Sequence, residues 1–217
     1  LHLTTTGTRL TDELATALAP CLGEVRLSVY DDVDVRPIAA RLAARAIPFG
    51  LNYLVFPERL PDLEDTLFDA LERGCRDVLL LAYKGTDPTL HLSPAQSDDL
   101  ATRVRALHRA LAGRLGIKLD VCWGERMQSA PRLFDGGPCP AGRDFVVVTS
   151  DRRLSPCSFH HHSVPFETAA DLLRIWSEQR DTLSTAANAP GCARLTDHGL
   201  PSVRASLPVF PPNGVTP

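Results

Sequence analysis

Five short apolar runs alternate with amphipathic helical segments over roughly the first 122 residues, and this alternation restricts the possible folds more than any other feature. Strands are expected at about 1–5, 25–30, 48–56, 77–83 and 117–122. Val78-Leu79-Leu80-Leu81 is apolar at successive positions. Such a run needs cover on both faces and marks a parallel sheet. The segments between strands carry the helical period. Leu14 and Leu18 share one face, Val35, Ile38 and Leu42 another, and Leu63, Leu67 and Leu71 a third that Gly74 closes. The fourth is the best marked. Ser93, Pro94 and Gln96 spell a capping box with proline in the first position. Leu100, Val104, Leu107, Leu111 and Leu115 then follow at helical spacing up to Gly116. Repeated βα units imply right-handed crossovers and either an open sheet or part of a barrel, which periodicity does not separate.

The 217 residues suit one ordinary domain with a small appendage. Apolar residues make up 44% and charged residues 23%, enough for a sizeable core. A net charge of −3 offers no field to attract nucleic acid or an anionic membrane. No apolar run approaches a membrane span, and no signal peptide stands out. A cytoplasmic protein with neither nucleic acid nor membrane as partner is expected. Walker, GxSxG and HExxH motifs do not occur. Six cysteines could pair in a secreted protein, but an α/β chain of this size needs no staples. Clustered cysteines in such a chain more often bind metal or do chemistry.

A Gly/Pro-rich stretch from Ser129 to Gly142 separates the βα part from a cysteine-bearing hairpin. Asp144 to Thr149 reads as a strand, Asp151-Arg152 as its turn and Leu154 as the start of the return. Cys139 lies before this hairpin and Cys157 at its far end. A hairpin brings its ends together, so both sulfurs can reach one metal centre. A hairpin is also marginal alone, and a metal pinning its ends would add stability. One helix follows over about Glu167–Leu183. From Leu200 the tail is proline-rich and expected to be extended or disordered.

The frame Cys139-Pro-Ala-Gly142, Ser155-Pro156-Cys157 and Gly191-Cys192 resembles the auxiliary-cluster domain, SPASM or twitch, of radical S-adenosylmethionine enzymes. Val148 to Cys157 is similar to that family's strand, turn and Pro-Cys return, with Arg152 where the family carries glycine. The helix bearing Trp176 is similar to the one that follows in the family. Upstream, Leu3-Thr4-Thr5-Thr6-Gly7 resembles a strand ending in Thr-Asn-Gly. Val25 to Asp32 resembles a strand ending in serine and an acidic turn, and Leu51 to Val55 the next strand with its asparagine. The resemblance implies an α/β chain in three parts. Residues 1–128 would be a partial (β/α) barrel of parallel strands. Residues 129–195 would be an auxiliary iron–sulfur domain, a small hairpin plus helix, and 196–217 a proline-rich tail. The family's Cys-x3-Cys-x2-Cys run, which holds the reactive 4Fe–4S cluster, does not occur. An N-terminally truncated sequence, inactive as it stands, is therefore expected.

The resemblance also implies site residues. Ser28, Asn52 and Thr6 would face the mouth of the barrel and contact S-adenosylmethionine. Cys139, Cys157 and Cys192 would hold a 4Fe–4S auxiliary cluster, with Cys122, at the end of the last βα strand, as the best fourth ligand. His160 to His162 would tune the cluster, line the cavity or substitute for Cys122. Lys84 and Asp31-Asp32 are weaker candidates for the same mouth, and Cys21 and Cys75 read as structural. The complete enzyme would cleave S-adenosylmethionine reductively and act on a peptide or small molecule. A second 4Fe–4S cluster and an electron donor such as a flavodoxin or ferredoxin would serve it. The alternative is a non-catalytic α/β binding module stabilised by Cys-ligated zinc, although the Cys-x2-Cys knuckles of zinc ribbons do not occur.

Overall fold

The computed structural model describes residues 1–85, 87–123, 139–159 and 162–187. The chain divides into two units, Leu1–Tyr83 with Thr89–Pro140, and Lys84–Pro88 with Ala141–Pro217. The first unit runs β1 (His2–Thr5), α1 (Asp12–Leu18), β2 (Glu24–Val29), α2 (Arg36–Ala43), β3 (Phe49–Val55), α3 (Leu63–Glu72), β4 (Asp77–Ala82), α4 (Pro94–Ala110) and β5 (Gly116–Leu119). All five strands are parallel and their spatial order is that of the sequence. A doubly wound sheet reverses its strand order at a switch point, and this sheet does not. Every crossover therefore goes the same way, and right-handedness puts the helices on one face. This is the progression of a partial barrel.

The burial pattern agrees. Leu27, Leu51, Val78 and Leu80 pack in one cluster with Leu42 of α2, Leu67 of α3 and Leu100 of α4. Alternate strand residues, such as Ser28, Asn52 and Leu79, lie on the other face. The capping box of α4 forms as its sequence predicts, Ser93 Oγ accepting from Gln96 N and Gln96 Oε1 from Ser93 N. Gly74 ends α3 at φ +79°, with Cys75 N donating to Ala70 O at 3.0 Å.

Three expectations need correction. Helix α4 stops at Ala110, and the glycine in the left-handed region is Gly113 rather than Gly116, which opens β5. Ala15 is the buried residue of α1, while Leu14 is 43% exposed. Strand β5 ends at Leu119, so Cys122 sits in a 3-10 turn at 121–123 beyond it.

In the second unit, β6 (Val147–Val148) pairs antiparallel with β7 (Arg153–Ser155). A third strand, β8 (Val164–Pro165), pairs with β7 and is not expected from the sequence. Helix α5 (Ala169–Ala187) follows, with a non-helical break at Gln179. Thr168 and Asp171 cap it reciprocally. Leu154, Ile175 and Leu183 form the core of this unit. Gly142, at φ +76°, lies where a Cβ would meet the Leu183 carbonyl carbon at 2.4 Å, so only glycine admits this approach.

Candidate functional site

Parallel pairing sets Ser28 beside Asn52 and Asn52 beside Leu79, on the sheet face away from the helices. Thr6 follows the last paired residue of β1, at the level of Ser28, with its Oγ1 3.3 Å from that of Thr8. The fold thus brings the three residues onto one sheet face of adjoining strands, with Thr6 and Ser28 at the C-terminal ends of β1 and β2 but Asn52 at the middle of β3 rather than near its end. Asn52 is 8% exposed, and its Oδ1 has no hydrogen-bond partner among the described residues. A buried acceptor without a donor costs roughly 1–3 kcal/mol, so this atom is the most informative in the site.

The adjoining level toward the strands' N-terminal ends is charged. Arg26 Nη2 lies 2.6 Å from Asp77 Oδ1 and 2.7 Å from Glu24 Oε1, and Lys118 Nζ lies 2.7 Å from Asp77 Oδ2. Arg26 reaches Asp77 across Gly50, where a Cβ would stand 2.9 Å from Asp77 Oδ1. Burial pushes the Asp77 carboxyl up, but hydrogen bonds and charge from Lys118 and Arg26 outweigh it and hold the group below its ordinary value. Glu24 and Lys118 reach Arg26 and Asp77 from the rows on either side, so these two cations and two carboxylates balance.

At the end of β2, Arg59 carries most of the local order. It is 7% exposed, its guanidinium lies over the Tyr53 and Phe56 rings, and it pairs with Asp31. Asp31 thus pairs with Arg59 from a turn where its own side chain is 81% exposed.

The cysteine candidates divide between the units. Cys122 N donates to Asp120 Oδ1 at 2.6 Å, and the other oxygen of this buried carboxylate accepts from Ala82 N at 3.3 Å. Trp123 Nε1 donates to Leu80 O at 2.8 Å. Sequence reasoning missed Asp120 and Trp123, though Asp two residues before Cys122 is an Asx-turn signal. Cys139 is buried and belongs to the first unit. Cys157 belongs to the second, in a loop tied by Ser155 Oγ, which donates toward the carbonyls of Cys157 and His162. Cys192, His160 and His161 lie outside the described residues. Among the described residues, no three His, Cys, Asp or Glu side chains converge on a metal-sized site. Lys84 Nζ lies over the Phe159 ring at 4.7 Å. Cys21 is exposed. Cys75 is buried, its thiol donates to Asp77 O, and burial pushes it up to about 12. No helix among the described residues is long and apolar enough to cross a membrane.

No protein-family model and no curated protein matches the sequence. Solved structures do match. The chain is similar to hexahistidine-tagged anSMEcpe with bound AdoMet, with a TM-score of 0.60 and 16% identity over 84% of this chain and 55% of that one. It is also similar to Streptococcus suis SuiB bound to S-adenosylmethionine, with a TM-score of 0.60 and 13% identity over 87% of this chain and 50% of that one. The chain thus spans about half the length of each structure. The fold, a five-stranded parallel sheet with helices and a small antiparallel sheet, is shared with both.

Proposed function

We propose that this chain is part of a radical S-adenosylmethionine enzyme, with Ser28 and Asn52 in the S-adenosylmethionine site and Thr6 at its mouth. The Asn52 amide carries the reading, because its Oδ1 is buried and lacks a donor among the described residues. S-adenosylmethionine brings an ammonium group and ribose hydroxyls, either of which can donate to that oxygen. Two structures of the same fold hold this molecule. The chain's own residues bind and orient. Asn52 accepts a hydrogen bond, the Ser28 hydroxyl donates or accepts, and Leu79 supplies apolar contact beside them. The neutral charge balance of Glu24, Arg26, Asp77 and Lys118 leaves a cationic ligand unopposed. When bound, S-adenosylmethionine would supply the radical that removes hydrogen from a peptide or small-molecule substrate.

The second half of the proposal is a 4Fe–4S auxiliary cluster on Cys122, Cys139, Cys157 and Cys192, served by a flavodoxin- or ferredoxin-like electron donor. The donor set suits iron–sulfur chemistry, and the hydrogen bonds of Asp120 and Ser155 fix the turns that carry Cys122 and Cys157. The sequence has no Cys-x3-Cys-x2-Cys run, so we expect no reductive cleavage of S-adenosylmethionine by this chain alone.

Equilibrium dialysis of the full chain against S-adenosylmethionine tests the first half. Asn52→Leu should weaken binding at least tenfold while raising the melting temperature, because it removes a buried amide oxygen that has no donor among the described residues. A wild type that binds none, or a variant that binds equally well, would overturn the reading.

A further inference from the structure

We propose that Arg59 is a positioning residue for the Ser28–Asn52 pocket, holding the end of β2 and the first residues of its loop in register with β3; this rests on the reading of that pocket as a ligand site. Arg59 lies seven positions beyond Asn52 in sequence, yet its guanidinium returns to the strand that carries Ser28. Its Nη1 donates to Val29 O at 2.9 Å, and its Nε donates to Asp31 Oδ1 at 3.0 Å. Its Nη2 also donates to Asp31. Its own carbonyl accepts from Tyr53 Oη at 2.8 Å. Val29 and Tyr53 are register partners, immediately next to the Ser28 and Asn52 pair. One residue therefore ties together the peptide after Ser28 and the loop leaving β2, through its guanidinium, and the residue after Asn52, through its carbonyl.

Its identity as arginine matters. The planar fork serves two acceptors in different directions while its faces meet the Tyr53 and Phe56 rings, at 5.5 Å and 5.2 Å from their centroids. A lysine ammonium is a point charge and cannot do all of this. The two acceptors are unequal. The Asp31 side chain is 81% exposed against 9% for Arg59, so water screens that pair, and the Val29 carbonyl is the firmer anchor. Substituting Asp31 should therefore matter less than substituting Arg59. The lone acceptor of Asn52 can meet a ligand's donor only if the neighbouring strand end is fixed, because hydrogen bonds weaken steeply with misalignment.

The test compares wild type, Arg59→Lys and Asp31→Asn, each as the full chain and each held well below its melting temperature. S-adenosylmethionine affinity is measured by dialysis, and hydrogen exchange is followed without ligand. Arg59→Lys should weaken binding about tenfold and raise exchange over residues 27–33, with exchange over 77–82 unchanged. Asp31→Asn should weaken binding less than threefold. Combining Arg59→Lys with Asn52→Leu should lose little beyond Asn52→Leu alone, because the two act on one hydrogen bond. A folded Arg59→Lys protein with wild-type affinity would overturn the proposal, since a purely structural residue would shift only the melting temperature. A wild type that binds no S-adenosylmethionine overturns the reading of the pocket instead. The exchange arm then decides the clasp, and unchanged exchange over 27–33 overturns it.

Discussion

Arg152 sits at φ +58° in the turn that joins β6 to β7. Thr149 Oγ1 accepts from Arg153 N there, and Thr149 O from Arg152 N. The turn demands a left-handed residue, and a Cβ in that region costs about 1–2 kcal/mol. Glycine removes the cost but adds freedom to the unfolded chain. Arg152→Gly should therefore stabilise the protein by roughly 0.5–1 kcal/mol, read as a higher urea midpoint at unchanged slope. An equal or lower midpoint would mean that the turn is not strained. The sequence carried this signal, because a hairpin turn without glycine or asparagine is conspicuous. Arg59 gave no such signal. An arginine in a short loop reads as solvated, whereas here it is buried, with its guanidinium over the rings of Tyr53 and Phe56.

Among the elements, β4 shows how one acidic residue organises a sheet. Asp77 opens a strand that continues with Val78 to Ala82 and looks, in sequence, like an exposed strand terminus. Pairing instead buries it between Arg26 of β2 and Lys118 of β5. Asp77→Ala should cost about 3 kcal/mol, because removing one partner strands the others. Its folded pKa lies below the ordinary 3.8. The stability it contributes is thus present above 3.8 and is lost as the pH falls through the lower folded value. Comparing acid unfolding of wild type and Asp77→Asn should show this part of the acid sensitivity gone from the variant. Identical acid profiles would count against the network. The caps of α3 and α4 were legible because they depend on local chemistry. The end of α4 was not, since Leu111 and Leu115 keep the apolar period after the helix has stopped.

At the scale of the molecule, the α/β class and parallel sheet follow from the apolar runs. The choice between open sheet and partial barrel had to wait for the strand order. Ser28 and Asn52 are expected near the ends of apolar strands; the register pairs them, but only Ser28 is near a strand end, and Asn52 lies at the middle of β3. The Asp120 bond to Ala82 and the Trp123 bond to Leu80 were not anticipated because they span 38 and 43 residues, and β8 was not because it is only 2 residues long. The cysteines make the remaining prediction. Anaerobic reconstitution should load about four irons per chain with visible charge-transfer absorption. Cys139→Ala, Cys157→Ala and Cys192→Ala should each lower the iron content. Cys75→Ala should not, because its thiol is buried and engaged with the Asp77 carbonyl. Stoichiometric zinc without iron would favour the binding module.

The row formed by Arg26, Gly50, Asp77 and Gly116 also limits how the sequence can drift. A Cβ on Gly116 would stand 2.9 Å from Asp77 Cβ, and one on Gly50 2.9 Å from Asp77 Oδ1. Neither glycine can gain a side chain without displacing residue 77, and the carboxylate cannot leave without cost while Arg26 and Lys118 both point at it. Substitutions along this row are therefore epistatic. A lineage that lost the Asp77 carboxylate would leave Lys118 without its partner, while Gly116 would still face the Cβ of any residue but glycine at position 77, so change here would come in sets rather than singly.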